Sequence, residues 1–481
     1  WWMAACWRGR SPWVRLAVLA AAVGPVAQGR TDDWLRCLGD IREALFRALG
    51  EHLQAATGGD TTGPVAYIDP AAHTNVGDNM LVAGTLAALA HLGWELPNVV
   101  VCGGVQTTDL PTGPRCFNRF HKLYRGALPS NVRVAVYHPG GNWGNIYSRV
   151  QLDRVTRIRS LLRANITVVS FPQSLHYDGG AGAEPTAEGD ARALSSAVLR
   201  AKQRYGPGRL VLMWRQRDSL EAARRLFPFA TNVAVPDVAF ALGPFLADQR
   251  HWSPAAGAGR PGLGPRAGAL GGGELLEAEA DGYRGGQGPV DLLLVLRSDN
   301  ESTLTAFQEA EAPDETRRAH VASVLARIAR DRAGRAPTGA GPRGLYTFRI
   351  ADWREALNHV PAISAARFRA SAGVARQCAP TCSESVLSAY MATQIRDARR
   401  ALGLARVVVT DRLHASVLAL LAYQRHVVID NTYGKLAGVR GLAFDASPAC
   451  RPPAALRYRT GTGLEDALGK AVELLEEGGG G

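Results

Sequence analysis

The stretch Val407 to Leu436, VVVTDRLHASVLALLAYQRHVVIDNTYGKL, joins a β-branched run, a polar turn, an apolar helical run and a second β-branched run. Asp411, Arg412 and His414 fall at the strand-to-helix turn, where free helix amides carry partial positive charge and attract anions. A guanidinium, an imidazole and a helix N-terminus at one junction suit a carboxylate or a phosphate. Asn431, Tyr433 and Lys435 follow the next strand and reach the same sheet edge.

Four earlier segments carry related signals. In HTNVGDNM, His73 to Met80, Gly77 permits close backbone approach, and Asp78 or Asn79 can cap the helix that follows. HPGGNWGNIY, His138 to Tyr147, follows a strand and reads as a turn in which the amides around Gly141 and Asn142 face a phosphate or sugar. It has neither the lysine of a P-loop nor the spacing of a dinucleotide fingerprint. In FPQSLHY, Phe171 to Tyr177, a strand runs into Pro172 and presents His176 as an acid or phosphate donor. LMWRQRDS, Leu212 to Ser219, ends a strand at Trp214 and delivers Arg215 and Arg217, whose planar forks match carboxylates and phosphates. A surface arginine neutralised by Asp218 is the plainer reading, and it suits Arg217 better than Arg215.

These segments need a scaffold that sets polar residues at strand ends. From Val65 to Phe240, short β-branched runs alternate with helical periodicity, the pattern of a parallel sheet covered by helices. Strands are expected at Asn98 to Cys102, Val132 to Tyr137, Thr167 to Phe171 and Leu210 to Trp214. Val150, Leu152, Val155, Ile158, Leu161 and Leu162 recur at helical spacing and should face the sheet. A second α/β pattern places strands at Asp291 to Leu296, Leu345 to Ile350, Arg406 to Thr410 and His426 to Ile429, with a helix over Glu384 to Leu402. A loop insertion, Ala333 to Gly344, interrupts it. The organisation is therefore a leader at 1–30, a helical segment at 31–64, a Rossmann-like domain at 65–250, a Gly/Ala/Pro-rich linker at 251–290 and a second Rossmann-like domain at 291–481. Two such α/β domains imply a cleft between them, with ligands at the carboxyl ends of the strands.

At 481 residues, burying a core presents no difficulty. The net charge of +12 suits anionic ligands. Nucleic acid is disfavoured, because the arginines are scattered, as in Arg154, Arg157 and Arg159, and no recognition-helix or zinc-finger pattern appears. The seven cysteines show no metal-ligand spacing, so no metal is expected; Cys378 and Cys382 are candidates for a disulfide or for two free thiols. Arg8, Arg10 and Arg15 precede an apolar run, Leu16 to Val23, and then small residues, the order of a secretory signal peptide or signal anchor. That run implies the secretory pathway and an association with the membrane; an organelle transit peptide is the alternative. The sequence opens on Trp rather than Met, which suggests a fragment or a trimmed gene.

Taken in order, GDN, GGN, FPQSLH, WRQRDS, PDVAFAL, TDRLHASVLALL and DNTYGKL resemble the polysaccharide pyruvyl transferase family, from roughly Tyr67 to Val439. The TDRLHA segment is the most specific part of the resemblance and GGN the least. The resemblance implies two Rossmann-like domains facing a cleft, as in GT-B glycosyltransferases, with phosphoenolpyruvate as donor, a glycan or polysaccharide as acceptor, no cofactor, and a Golgi lumenal setting. Carried over, Arg412 and His414 match the DRLH motif, Arg215 matches the arginine opening an RDxxS-like motif, and His176 corresponds to a histidine after the FPQ strand. Gln216 stands where the family commonly has aspartate, which leaves the choice between Arg215 and Arg217 open.

The chemistry so implied is protonation of the donor's methylene carbon, addition of a sugar hydroxyl at C2, loss of phosphate, and closure of a cyclic ketal by a second hydroxyl. Arg412 and Arg215 would neutralise the donor, and His414 would act as general acid or bind the phosphate. Asp411 and Asp78 are the candidates for the base. Asn79, Gly141, Asn142, Asn431, Lys435, His176 and Arg217 would contribute to binding. A GT-B glycosyltransferase using a nucleotide sugar, or a non-catalytic glycan-binding homologue, would share the architecture.

Overall fold

The computed structural model of the chain describes residues 28–70, 75–94, 98–102, 116–118, 120, 122–124, 126–177, 185–243, 290–297, 304, 314–333, 346–351, 394–395, 398–399, 401–431, 434–445, 447, 450 and 458–477. The expected leader, the linker and the Cys378/Cys382 pair lie outside them, apart from the last residues of the leader and Val290. No described helix is long and apolar enough to cross a membrane.

In chain order the first half comprises α1 (Gln28–Thr57), β1 (Val65–Ile68), α2 (Val76–His91), β2 (Val99–Cys102), β3 (Val134–Tyr137), β4 (Gly140–Gly144), α3 (Ser148–Arg163), β5 (Thr167–His176), α4 (Ala187–Tyr205), β6 (Leu210–Trp214), α5 (Arg217–Leu226), β7 (Thr231–Ala234) and a 3-10 turn (Val238–Leu242). The second half comprises β8 (Val290–Val295), α6 (Asp314–Ala333), β9 (Phe348–Ala351), β10 (Ala405–Thr410), α7 (Leu413–Leu421), β11 (His426–Ile429), α8 (Lys435–Asp445), β12 (Tyr458–Gly461) and α9 (Leu464–Glu476). The described residues between 394 and 403 are helical, within the helix expected over Glu384 to Leu402.

The protein is a mixed α/β, Rossmann-like fold on parallel sheets. The first sheet runs β2-β1-β3-β5-β6-β7, with β4 added on β5; the second runs β12-β11-β10-β8-β9. All the described strand pairs are parallel. In each sheet the chain starts one strand in from an edge, steps out to that edge and then reverses, which puts a switch point between β1 and β3 and another between β8 and β10. Loops leaving the carboxyl ends on either side of such a point diverge and leave room for a ligand.

Strands buried on both faces read as unbroken apolar runs because each face meets helices. Val65 and Tyr67 of β1 face one core, and Ala66 and Ile68 the other. The first of these cores also takes in Leu293, Val295, Val408 and Val428 of the second sheet, together with α1, α2, α7 and α8. Helices α2 and α7 are apolar on nearly every side, as helices packed all round must be. Gly84 of α2 is fixed by close approach, since a Cβ there would collide with the carbonyl of Val238 in the 3-10 turn.

Three expectations need correction. Leu152 is 49% exposed, and the inward face of α3 instead includes Gln151, Arg154 and Arg157 beside Val155, Ile158, Leu161 and Leu162. The GGN segment is a short strand, β4, rather than a turn. Pro172 does not end β5; the strand continues to His176, and the proline falls where the register with β6 shifts, a position that tolerates a missing amide.

Disulfides join Cys37 of α1 to Cys450 and Cys102 at the end of β2 to Cys116. The first is accompanied by a hydrogen bond from Ser447 Oγ to Asp40 Oδ2 and by Trp34 stacked on Tyr423, so α1, an element of the first half, is tied to the second.

Candidate functional site

A pocket of about 190 Å³ opens where both switch points deliver their loops. After β1 come Asn75, Gly77, Asp78 and Leu81; after β3 come Gly141 and Tyr147; Arg215 follows β6. From the second half come Arg297 after β8, Arg412, Leu413 and His414 after β10, and Lys435 after β11. The helices α2, α7 and α8 thus all present their N-termini here, and their unsatisfied amides add to the positive field.

Arg215 is 0% exposed. Its Nη1 donates to Oδ2 of Asp237 at 2.6 Å and its Nε to Ser174 Oγ at 2.9 Å, while its backbone amide donates to the Gln173 carbonyl at 3.0 Å. Its Nη2 is buried with no hydrogen-bond partner among the described residues. A guanidinium nitrogen is too strong a donor to be left so without a reason. A Cβ built on Gly141 would stand 3.2 Å from this Nη2 and 2.5 Å from Lys435 Nζ. Glycine at 141 therefore keeps open the space onto which both cations converge.

Asp237 is itself 0% exposed, and its Oδ1 accepts the amide of Ala239 at 2.9 Å. Burial pushes its carboxyl up, but Arg215, His414 and that amide together hold it well below the usual carboxylate range. His414 Nε2 stands 3.5 Å from Oδ2 of Asp237, within ion-pair range but not aligned as a hydrogen bond. On the other side of the ring, Nδ1 would lie 2.5 Å from a Cβ on Gly77. The glycine of GDN is thus fixed by the imidazole packed against it.

The remaining polar groups set these in place. Asn75 caps α2 by accepting the Gly77 amide at 3.0 Å. The Arg412 amide donates to Thr410 Oγ1 at 3.0 Å, which orients the turn into α7. The Asn431 Oδ1 accepts the Lys435 amide at 2.8 Å, and Asp430 accepts the amides of Leu436 and Ala437, fixing the start of α8.

Of the residues expected to form the site, Arg215, Arg412, His414, Lys435, Asp78 and Gly141 line the pocket. Others do not. Asp411 is fully buried and accepts the Arg297 amide at 2.8 Å, so it ties the β10 turn to the end of β8. Arg217 is 66% exposed and pairs with Asp445 at 3.0 Å, because it opens a surface helix while Arg215 still belongs to the strand end. His176 ends β5, and its carbonyl accepts the Asn145 amide at 3.1 Å. Asn79 is fully buried in α2, one residue past the pocket face, and both its side-chain polar atoms lack partners among the described residues. Asn431 acts from behind through the Lys435 amide. Asn142 falls in β4, and its side chain lies outside the described residues, as do His73 and Tyr433. Arg297 and Tyr147 line the pocket without having been expected there; Arg297 lies two residues past β8 and Tyr147 immediately before α3, and only those positions could have flagged them.

No family model matches this chain, and no curated protein matches it. Among solved structures, it is similar to an uncharacterised protein from Klebsiella pneumoniae subsp. pneumoniae NTUH-K2044, at 11% identity and a TM-score of 0.37, covering 84% of this chain and 96% of that one.

Proposed function

We propose that the protein is a pyruvyl transferase that moves the pyruvyl unit of phosphoenolpyruvate onto two hydroxyls of a glycan. The observation that carries this reading is the composition of the pocket: Arg215, Arg297, Arg412, His414 and Lys435 surround a space bordered by one carboxylate, Asp78. Phosphoenolpyruvate carries two anionic groups at opposite ends of three carbons, and cations from both halves can neutralise both at once. The pocket volume of about 190 Å³ is below the roughly 300–1,000 Å³ of sites for larger ligands, which favours a small donor over a nucleotide sugar. The two sheets then act as the domains of a GT-B-like arrangement with the donor between them.

In this reading Arg215 Nη2 and Lys435 hold one anionic end and Arg412 with Arg297 the other. His414 delivers a proton to C3, and one sugar hydroxyl adds to the cationic C2 as its proton passes to a base. The bond from C2 to the phosphate oxygen then breaks, and the second hydroxyl closes the ketal. C3 gains one proton, the hydroxyls lose two, and the surplus leaves with phosphate. Asp78 fits the base better than Asp411, since Asp78 borders the pocket and Asp411 is engaged behind it.

The pair of disulfides supports folding in an oxidising compartment. Together with the apolar leader they favour the secretory pathway, with the Golgi lumen as the working place and the leader as a means of membrane association.

The test mixes the full chain with phosphoenolpyruvate and a panel of galactosides and follows phosphate release. Release that depends on acceptor, with a ketal in the product, is expected. Thermal stabilisation by nucleotide sugars and none by phosphoenolpyruvate would reverse the assignment in favour of a glycosyltransferase.

A further inference from the structure

Directly behind Arg215 sits Asp237, in the PDVAFAL segment between β7 and the 3-10 turn. It does not border the pocket, yet it touches two residues that do, one from each half of the chain: Arg215 at 2.6 Å and His414 at 3.5 Å, both through Oδ2. Gly84 brings the 3-10 turn down onto α2, and α2 in turn packs against α7 through Gly77 and His414. The sequence thus places one carboxylate at the seam where three elements meet.

We propose that Asp237 is the positioning residue of the site, aiming Arg215 and His414 at a common ligand. The inference rests on the reading of the pocket as an anion site. Two constraints act together on Arg215: Asp237 takes Nη1 and Ser174 takes Nε, so the planar fork can turn only Nη2 outward. For His414, a carboxylate facing Nε2 anchors the N–H there, so the second ring nitrogen is the one that can carry a proton to the ligand. That leaves Nδ1 on the side of Gly77, a residue of the pocket wall.

The groups around the carboxylate make it specific. Arg215 Nη1 and the Ala239 amide donate to Asp237, and His414 Nε2 faces it at 3.5 Å, so three donor nitrogens surround the carboxylate. An asparagine has a single acceptor oxygen, so its NH₂ must face one of these donors, and something moves. Simple charge predicts the opposite: removing a negative charge from behind the wall should make an anion bind more tightly. The sign of the change therefore separates positioning from charge.

The experiment titrates inorganic phosphate into the full-length protein by calorimetry, for the wild type, Asp237→Asn and Asp237→Glu, with thermal melts to confirm folding. Asp237→Asn is expected to bind phosphate about ten- to a hundredfold more weakly, the loss of a charge-assisted hydrogen bond. Asp237→Glu, which keeps both acceptors, should recover part of that loss. A folded Asp237→Asn that binds phosphate as tightly as the wild type, or more tightly, overturns the proposal. If Asp237→Asn does not fold, Ser174→Ala removes the other anchor of Arg215 without a charge change. It should weaken phosphate binding by about two- to tenfold, and an unchanged affinity would also overturn the proposal. A wild type that binds no phosphate would sink the anion-site reading itself, and this inference with it.

Discussion

Two buried arginine clusters flank the first sheet, and they are built on opposite terms. Beside α3, Arg157 pairs with Asp69 at 2.9 Å, Arg154 Nη1 donates to Gln151 at 3.2 Å, and Arg154 lies over the rings of Tyr137 and Trp143. Gln151 and the Tyr177 hydroxyl both donate to Asp190, closing a network among the protein's own groups. At the pocket, Arg215 is equally buried with Nη2 left over, and Arg297, Arg412, Lys435 and His414 line the same space with one carboxylate, Asp78. The α3 cluster offsets its arginines with Asp69, Asp153 and Asp190, although the Tyr137 hydroxyl and Trp143 Nε1 make no hydrogen bond among the described residues; the pocket cluster carries an excess of positive charge that a ligand must complete. A buried arginine alone therefore says little about function, and the balance of charge around it says more.

The sharpest way to break this contrast is to delete each arginine. Arg215→Ala should abolish phosphate binding and lower stability by about 3–5 kcal/mol, because Asp237 is left buried without its main partner. Arg154→Ala should also destabilise the fold, through lost packing and an unmatched Gln151 and Asp190, but should leave phosphate affinity within about twofold. Denaturant titration and calorimetry on both variants separate the two roles. Equal losses of phosphate affinity would mean the pocket is not the anion site.

Replacing His414 by Gln should slow phosphate release from phosphoenolpyruvate by about 10²–10⁴-fold, the range of a lost general acid, with a smaller effect on phosphate affinity. A rate within a factor of a few of the wild type would confine His414 to binding.

The two clusters should also respond to pH with opposite sign. In the pocket cluster the Asp237 carboxyl is held below its ordinary value, so its contribution to stability is full above about pH 4 and is lost as pH falls through the native value. Burial raises the Asp190 carboxyl, despite hydrogen bonds from Tyr177 and Gln151 and the charge of Arg154. The native state thus holds that proton more tightly, and stability falls as pH rises from about 4 through the raised value. At neutral pH, Asp190→Asn should change stability by less than about 1.5 kcal/mol or increase it, while Asp237→Asn should decrease it. Chemical denaturation from pH 3 to 8 measures both; parallel curves for the two variants would remove the distinction.

The smallest effect belongs to Arg217, which the sequence left beside Arg215 as a second candidate. Its exposed pair with Asp445 makes Arg217→Ala neutral within about 0.5 kcal/mol and silent in phosphate release. A loss of activity there would place the donor elsewhere.

How far the sequence reached follows from where each residue sits. Arg412, His414 and Lys435 were legible because each stands at a strand-to-helix junction, a local feature. The end of β6 at Trp214 was legible as well, but choosing Arg215 over Arg217 needed the partner of each, Asp237 and Asp445, which lie far along the chain. His176 was misplaced because Pro172 reads as a strand end, whereas β4 adds itself to β5 beyond the proline and keeps the strand going. Gln151, Arg154 and Arg157 share the inner face of α3 through partners far apart in the chain, Asp69 and Asp190, and a helical stripe of leucines and isoleucines hides them. Asp237 was passed over for the same reason: its partners, Arg215 and His414, lie 22 residues before it and on the other half of the fold.

The most direct measurement is a crystal structure of the protein with phosphoenolpyruvate. The account predicts the donor in the pocket, one anionic group within hydrogen-bond reach of Arg215 Nη2 and Lys435 Nζ, the other met by Arg412, and C3 facing His414. A donor bound elsewhere, or a pocket in which Arg215 Nη2 turns away from the ligand, would contradict it.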